Sequence, residues 1–359
     1  MLKKAAALFL VCAGIATWVS CGATSSLYLY AAIPASNEIV AYREDPNSGV
    51  LTALVASPVS AGQSVQSIVI HPSRKFLYAA NSGEGDISLF TISAVGTLTE
   101  VTPRTNVTPD GFAPTLLAMD SAGSFLYVGN VGSNNISVFS IDSTTGVPTA
   151  VGTPFPIGMT PTNMQLSPSG VLYVTGGGSP GVIEAFTLNQ GVPTVVTNSP
   201  FSTGRNPVGL AIASGGGVLY TANTLDSSIS EFTINADGSL SEISGSPIGE
   251  PALNSGPTAL LIDKSGTYLY VANQANANVG AYSIGSDGTL TLLTTSPFTT
   301  GTGPSVIATD SGGKYLFVGN KAQSSAAIES FSLDATTGAL TSVATYTVPG
   351  SPTSIAVTP

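Results

Sequence analysis

Leu126-Tyr127-Val128-Gly129-Asn130 decides the fold, because it returns throughout the chain. The copies are Leu77-Tyr78-Ala79-Ala80-Asn81, Leu172-Tyr173-Val174-Thr175-Gly176, Leu219-Tyr220-Thr221-Ala222-Asn223, Leu269-Tyr270-Val271-Ala272-Asn273 and Leu316-Phe317-Val318-Gly319-Asn320. Leu29-Tyr30-Ala31-Ala32 is a degenerate first copy. β-Branched and aromatic residues closed by an Asn read as a short strand running into a turn. A strand repeated at a fixed period implies many copies of one supersecondary unit.

Three further phrases travel with it. One contains Ile87-Ser88-Leu89-Phe90, Ile136-Ser137-Val138-Phe139 and Ile229-Ser230-Glu231-Phe232. Another opens with Gly at 49, 96, 146, 191, 238, 288 and 338, 45 to 50 residues apart, as in Thr97-Leu98-Thr99 after Gly96. The last is apolar and follows Pro or Gly, as in Leu116-Leu117-Ala118, Ala259-Leu260-Leu261-Ile262 and Val306-Ile307-Ala308. Asp237-Gly238 and Asp287-Gly288 suit hairpin positions with positive φ. Ser121-Ala122-Gly123 and Ser311-Gly312-Gly313 separate other strand pairs. Four short antiparallel strands per 40–50 residues, arranged radially, are the signature of a β-propeller. The expected fold is therefore all-β, a seven-bladed propeller over residues 26–359. The chain ends on an apolar phrase, Pro352-Thr353-Ser354-Ile355-Ala356-Val357-Thr358, and opens without one. The C-terminal strand should thus join the N-terminal blade and close the ring, which removes free sheet edges.

Composition agrees. Of 359 residues, 10 are Lys or Arg and 20 are Asp or Glu, so 8% are charged and the net charge is −10. Ordinary domains are about 25% charged. Blades packed face to face leave few sites for charge. Small residues, including 40 Gly, let sheets approach near the axis, while Phe139, Phe186, Phe232, Tyr282 and Phe331 should fill the wider gaps outside. At 43% hydrophobic the chain is not a disordered one. Ten basic residues in an acidic chain give no nucleic-acid footprint. One His and two Cys do not make a Cys/His zinc site. No calcium loop occurs, and no metal or cofactor is called for.

Residues 1–20 read as an export signal: Lys3 and Lys4, then an apolar stretch from Ala5 to Thr17 too short to span a membrane comfortably. Trp18-Val19-Ser20-Cys21 resembles a bacterial lipobox, with Trp18 where Leu is usual. Lipidation is expected on Cys21, residues 21–25 forming a short anchor segment. A chance Cys after an ordinary cleaved signal is the alternative. Gly22 after Cys21 points to the outer membrane if the cell is Gram-negative. Removing residues 1–20 takes away Cys12 and leaves no internal disulfide. The body stays acidic and repels anionic headgroups, so membrane association is expected only through the lipid on Cys21.

The Leu-Tyr-Val-x-Asn, Ile-Ser-Val-Phe and Gly-x-Leu-Thr phrases, with Ser199-Pro200-Phe201 and Ser296-Pro297-Phe298, resemble the seven-bladed lactonase-like propellers. This is the family named after 6-phosphogluconolactonase and related to YVTN-repeat surface proteins. The resemblance spans roughly residues 26–359. It implies a seven-bladed ring. In enzymatic members it also implies hydrolysis or formation of sugar and muconate lactones by His, Glu and Arg in a cleft on one face. Many members carry Glu after the blade Asn; this chain has Ser82, Val131, Thr224, Gln274 and Lys321 there. Its single histidine, His71, sits in a turn that holds Asp120, Asp263 or Asp310 elsewhere. That placement argues against a Ser-His-Asp triad.

An antiparallel meander puts alternate connections on opposite ends of the ring. The connections leading into the apolar phrase are long and share an end with those after the blade Asn. Binding groups concentrate on such loops. The charged symmetry-breakers there are Arg104, Asp110, Arg205, Glu250 and Lys321. Arg205, Glu250 and Asp110 are the catalytic candidates: an Arg for an acyl or phosphate oxygen, a carboxylate to activate water. Solvated loop charge is the simpler account of all five. Asn81, Asn130, Asn223, Asn273 and Asn320 either ring a mouth with amides or bond their own turns, the second being the simpler expectation. The 176–181 turn, Gly176-Gly177-Gly178-Ser179-Pro180-Gly181, offers a nest-like anion site or plain loop drift. Glu184, Glu231 and Glu329 are expected on exposed outer edges rather than reaching a channel.

Two functions follow as expectations. The first is a non-catalytic, envelope-anchored binding module for a carbohydrate-like ligand, a glycan or an envelope protein, expected as a monomer. The alternative is an exported lactone hydrolase.

Overall fold

The computed structural model describes residues 26–107, 111–249, 255–321 and 326–358. The export signal, Cys21, Asp110 and Glu250 lie outside the described residues. The described residues form seven antiparallel sheets and no α-helix, only one 3-10 turn at Gln274–Asn276. Among the described residues no helix is long and apolar enough to cross a membrane.

Blade 2 shows the plan. Inner strand Val65–Ile70 pairs with Phe76–Asn81, which pairs with Asp86–Ile92, which pairs with outer strand Leu98–Asn106. The second strand carries the Leu-Tyr-Val-x-Asn phrase and is buried along its whole length in blades 2, 4, 6 and 7. That double-sided burial explains the scarcity of charge. Phe139, Phe186, Phe232, Tyr282 and Phe331 lie in the blade-to-blade clusters, at most 3% exposed. In five blades the outer strand is split, a second short piece pairing further along the third strand, as Leu240–Glu242 and Ile248–Gly249 do.

The ring closes as the chain ends imply. Ser354–Val357 is the inner strand of blade 1, with Leu29 opposite Val357 and Ala32 opposite Ser354. Tyr28 N–H donates to Thr358 Oγ1 at 3.0 Å. The chain from Ser26 onward thus contains the complete ring.

Each inner strand pairs on one side only and turns its other edge to the axis. Such an edge needs partners. Neighbouring blades supply them: Asn163 Nδ2 donates to Val208 O at 2.8 Å, Thr258 Oγ1 to Pro304 O at 3.1 Å, and Thr353 Oγ1 to Gln66 O at 2.7 Å. The inner strands around the axis carry only neutral residues, with no charged residue in any of them.

Candidate functional site

The two ends of the ring differ. One holds the short turns after inner and third strands. The other, the mouth, holds the turns after the blade Asn and the loops entering each inner strand. In blades 2 and 5 those loops run Gly62-Gln63-Ser64 and Gly204-Arg205-Asn206. A Cβ on Gly62 or Gly204 would stand 2.3 Å or 2.5 Å from the side chain of Asn81 or Asn223. Glycine lets the loop close over the blade Asn. The residue after the glycine is exposed in blades 2, 3, 5 and 7, as Gln63, Phe112, Arg205 and Thr302, while Met159 in blade 4 packs down over Gly176. Phe112 is 65% exposed. These loops thus offer an exposed aromatic, amide, hydroxyl and guanidinium on one end of the ring, groups of the kind that meet a hydroxylated ring.

The blade Asn residues sit beneath this rim. Asn81 Nδ2 donates to Asp86 Oδ1 at 2.7 Å and Ser88 Oγ at 3.0 Å. Asn130 donates to Asn135 and Ser137, Asn223 to Ser228 and Ser230, and Asn273 to Asn278. Asn320 faces Glu329. All five are buried. In the first four, amide N–H groups are used inside their own hairpin.

Arg104 and Arg205 are at the mouth end, each already paired. Arg104 Nε donates to Glu100 Oε1 at 2.6 Å, and its Nη1 meets Glu84, with Asp86 at 3.9 Å. Hydrogen bonds to Glu100 hold its guanidinium pKa above the ordinary value. Arg205 Nε donates to Asp226 Oδ1 at 2.5 Å, and its backbone N–H to Asp226 Oδ2 at 2.6 Å. Those bonds lower Asp226. Lys321 is exposed on the same end, its backbone N–H donating to Gly303 O at 2.8 Å.

His71 is on the other end. Its Nδ1 accepts from Ser73 N–H at 3.0 Å, so Nε2 carries the proton and donates to Gly123 O at 3.0 Å in blade 3. It is 5% exposed and edge-on to Phe76. A ring's length separates it from Arg205, so no mechanism joins the two.

Glu184, Glu231 and Glu329 are not on exposed edges. Glu231 is 2% exposed and Glu329 9%, while Glu184 is half-buried. The physical reason is partnering by main-chain N–H groups of neighbouring segments. Glu231 Oε1 accepts Leu290 N–H at 2.9 Å, Glu329 Oε1 accepts Gly301 N–H at 2.8 Å, and Glu184 accepts Gly158 N–H. Burial raises all three pKa values, with those hydrogen bonds working against it. Glu184 and Glu329 occupy the third-strand place that Ser88, Ser137 and Ser230 hold elsewhere, directly under the mouth. In blade 4 the blade Asn is itself replaced by Gly176, where a Cβ would strike Met159. The signal was available in the repeat: an acid standing where other blades carry Ser. Among the described residues no three metal-ligating side chains cluster.

The model of the seven-bladed β-propeller lactonase family matches residues 28–161 and 243–357, more than half of the chain. No curated protein matches the chain. A putative 6-phosphogluconolactonase from Bacteroides fragilis superposes with a TM-score of 0.80 at 22% identity, covering 93% of this chain and 98% of that one. The periplasmic gluconolactonase of Pseudomonas aeruginosa superposes with a TM-score of 0.76 at 17% identity, covering 92% and 99%. A putative 6-phosphogluconolactonase from Bacteroides uniformis gives 0.79 at 20%, covering 93% and 99%. At these identities the likeness shows fold alone. The chain belongs, by its family match and its seven four-stranded blades, to the seven-bladed β-propeller lactonases.

Proposed function

We propose that the protein hydrolyses a sugar-type lactone at its mouth, in the sector where blades 4 and 5 meet. The observation that carries this is Glu184: a half-buried carboxylate with a raised pKa, in the place of a serine, on the one blade whose Asn has become glycine. A carboxylate held above its ordinary pKa is a better base. Glu184 takes a proton from water as the oxygen attacks the lactone carbonyl carbon. The guanidinium of Arg205, whose loop borders the 176–181 turn through Asn206 N–H to Gly178 O, carries the negative charge that develops on the carbonyl oxygen. Collapse breaks the ring C–O bond, and the proton on Glu184 passes to the departing alkoxide. Glu250 and Asp110, which lie outside the described residues, remain alternative bases. We further propose that the protein works outside the cytoplasm, tethered by lipid on Cys21.

The test is release of acid from a panel of aldono-lactones, with and without a 6-phosphate, by wild type, Glu184→Gln, Arg205→Ala and Glu250→Gln. Turnover lost in Glu184→Gln and Arg205→Ala supports the assignment. Turnover lost only in Glu250→Gln moves the base to the 250 loop. Binding at the mouth without any turnover returns the protein to a binding module. The prior pairing of both Arg104 and Arg205 favours that second reading.

A further inference from the structure

The end opposite the mouth carries a surface that lactone chemistry does not use. The chain enters the ring there. Ser26 and Tyr28 border two adjoining clefts of about 350 and 460 Å3 between blades 1 and 2. Arg74 and Lys75 line the first and Arg43 the second. None of these three forms an ion pair among the described residues, where salt bridges involve Arg104 and Arg205. Asp45 is the carboxylate that feels Arg43.

Aliphatic side chains stand exposed beside these cations: Val50 at 41%, Val55 at 106% and Val95 at 64%. Val50 and Val95 adjoin the turn glycines of their blades, as Val147 and Val192 do in blades 3 and 4. Ser239, Thr289 and Ala339 follow the turn glycine in blades 5 to 7. These turns hold one Asp each in blades 1, 3, 5, 6 and 7, Asp45, Asp142, Asp237, Asp287 and Asp334, and none in blades 2 and 4, so the turn beside Arg74 and Lys75 carries no carboxylate. Unpaired cations interleaved with exposed aliphatics, in a chain of net charge −10, are the chemistry of a surface that meets anionic headgroups.

We propose that the short-turn end of blades 1 and 2 docks on an anionic phospholipid surface through Arg43, Arg74, Lys75, Val55 and Val95, so that the mouth faces away from the membrane. This departs from the expectation that the lipid on Cys21 alone makes contact, and it stands independently of the lactonase reading. Ser26 follows Cys21 by five positions, a reach of about 17 Å at full extension. A lipid on Cys21 would thus hold this end, and not the mouth, against the bilayer. Local cations act there despite the acidic body, because charges beyond about 8–10 Å are screened.

The chain from Ser26 onward contains the complete ring and no cysteine, so single-cysteine labels report cleanly. It is tethered through an N-terminal hexahistidine to vesicles of phosphatidylcholine and nickel-chelating lipid, with and without phosphatidylglycerol. Fluorescent labels are placed at Val95→Cys or, on the mouth end, at Leu225→Cys, which is 63% exposed as wild type. The expected result is quenching by a lipid-borne quencher at position 95 and not at 225, stronger with phosphatidylglycerol and weakened by salt. Each basic residue near an anionic surface contributes about fivefold to binding, so Arg43→Glu, Arg74→Glu and Lys75→Glu together should remove the extra quenching at 95 that phosphatidylglycerol brings, leaving only what the tether itself produces. Equal quenching at both positions overturns the proposal. So does quenching at 95 that the triple reversal leaves unchanged. Binding of inorganic phosphate in the clefts, with no dependence of quenching on phosphatidylglycerol, overturns it in favour of a small-anion site.

Discussion

The hydroxyl of Tyr78 in blade 2 donates a 2.7 Å hydrogen bond to the carbonyl of Gly146, 68 residues further on in blade 3. The same bond joins Tyr30 to Gly96, Tyr173 to Gly238, Tyr220 to Gly288 and Tyr270 to Gly338. The two most repeated features of the sequence, the Tyr of Leu-Tyr-Val-x-Asn and the Gly of the third phrase, are thus one inter-blade lock. The glycine is required twice over. It has φ +75° at Gly146, and a Cβ there would stand 2.7 Å from the ring of Phe76. Burial raises these tyrosine pKa values, so the hydroxyls stay protonated and donating.

Tyr78→Phe should destabilise the ring by about 1–3 kcal/mol, because it leaves the Gly146 carbonyl without its partner. The joint between blades 7 and 1 offers the converse. Phe317 stands where the other blades have Tyr, and Gly49 faces Tyr315 as Gly96 faces Tyr28. Phe317→Tyr should supply the missing donor to Gly49 and stabilise by about 1 kcal/mol. Urea unfolding of both variants checks the pair. A neutral Tyr78→Phe would remove the lock from the account of stability.

Removal of residues 351–359 should abolish cooperative folding rather than trim it. Blade 1 would lose its inner strand, and Leu27–Ile33 would expose an unpaired edge at the axis. The bond from Thr353 to blade 2 would also be lost. Limited proteolysis and near-ultraviolet circular dichroism read this directly, and a truncated chain that unfolds as sharply as the full one would show that closure is dispensable.

The ring was legible because its period is carried by strand and turn residues that must repeat, and the closing strand because the two chain ends are complementary. The fates of Glu231 and Glu329 were not. Whether a third-strand carboxylate faces solvent or a neighbouring loop depends on the main-chain N–H groups of Leu290 and Gly301, which lie dozens of residues away and have no side-chain signature. The Asn residues were ambiguous for the same reason: an amide reads alike whether it rings a mouth or bonds Ser88. The Tyr–Gly lock has no sequence signature of its own either, since the two residues stand in different blades and only the packing of one blade on the next brings them together.

Glu44 should make the protein less stable as the solution becomes alkaline. It is 2% exposed, with neither carboxylate oxygen hydrogen-bonded. Burial, then the charges of Asp310 and Asp45, push it up from 4.5 to about 8. The folded protein keeps a proton that the unfolded chain releases, so this contribution to stability is complete below about pH 4.5 and is lost as pH rises towards 8. Asp142, Asp237, Asp287 and Asp334, lowered by hydrogen bonds in their own turns, act in the opposite sense and only at acid pH. Glu44→Gln should flatten the melting temperature between pH 5 and 8 and raise it by several degrees at the upper end. An unchanged slope would place the titration elsewhere.

Glu184 makes the mechanism answerable by its pH dependence. Burial raises its pKa, and the Gly158 N–H only partly offsets that. A general base must be ionised, so kcat/KM should fall on the acid side through an ionisation lying above the usual Glu range. Glu184→Gln should remove that limb and lower kcat by about 10²–10⁴-fold. Glu184→Ser restores the residue that blades 2, 3 and 5 carry at this place, where Ser88, Ser137 and Ser230 accept from the blade Asn. Blade 4 has Gly176 there, so the serine has no amide to bind, yet it removes a half-buried carboxylate and should leave the fold intact. An inactive but fully folded Glu184→Ser protein separates catalysis from architecture. An active one would strip Glu184 of the role and return the search for a base to the 250 loop.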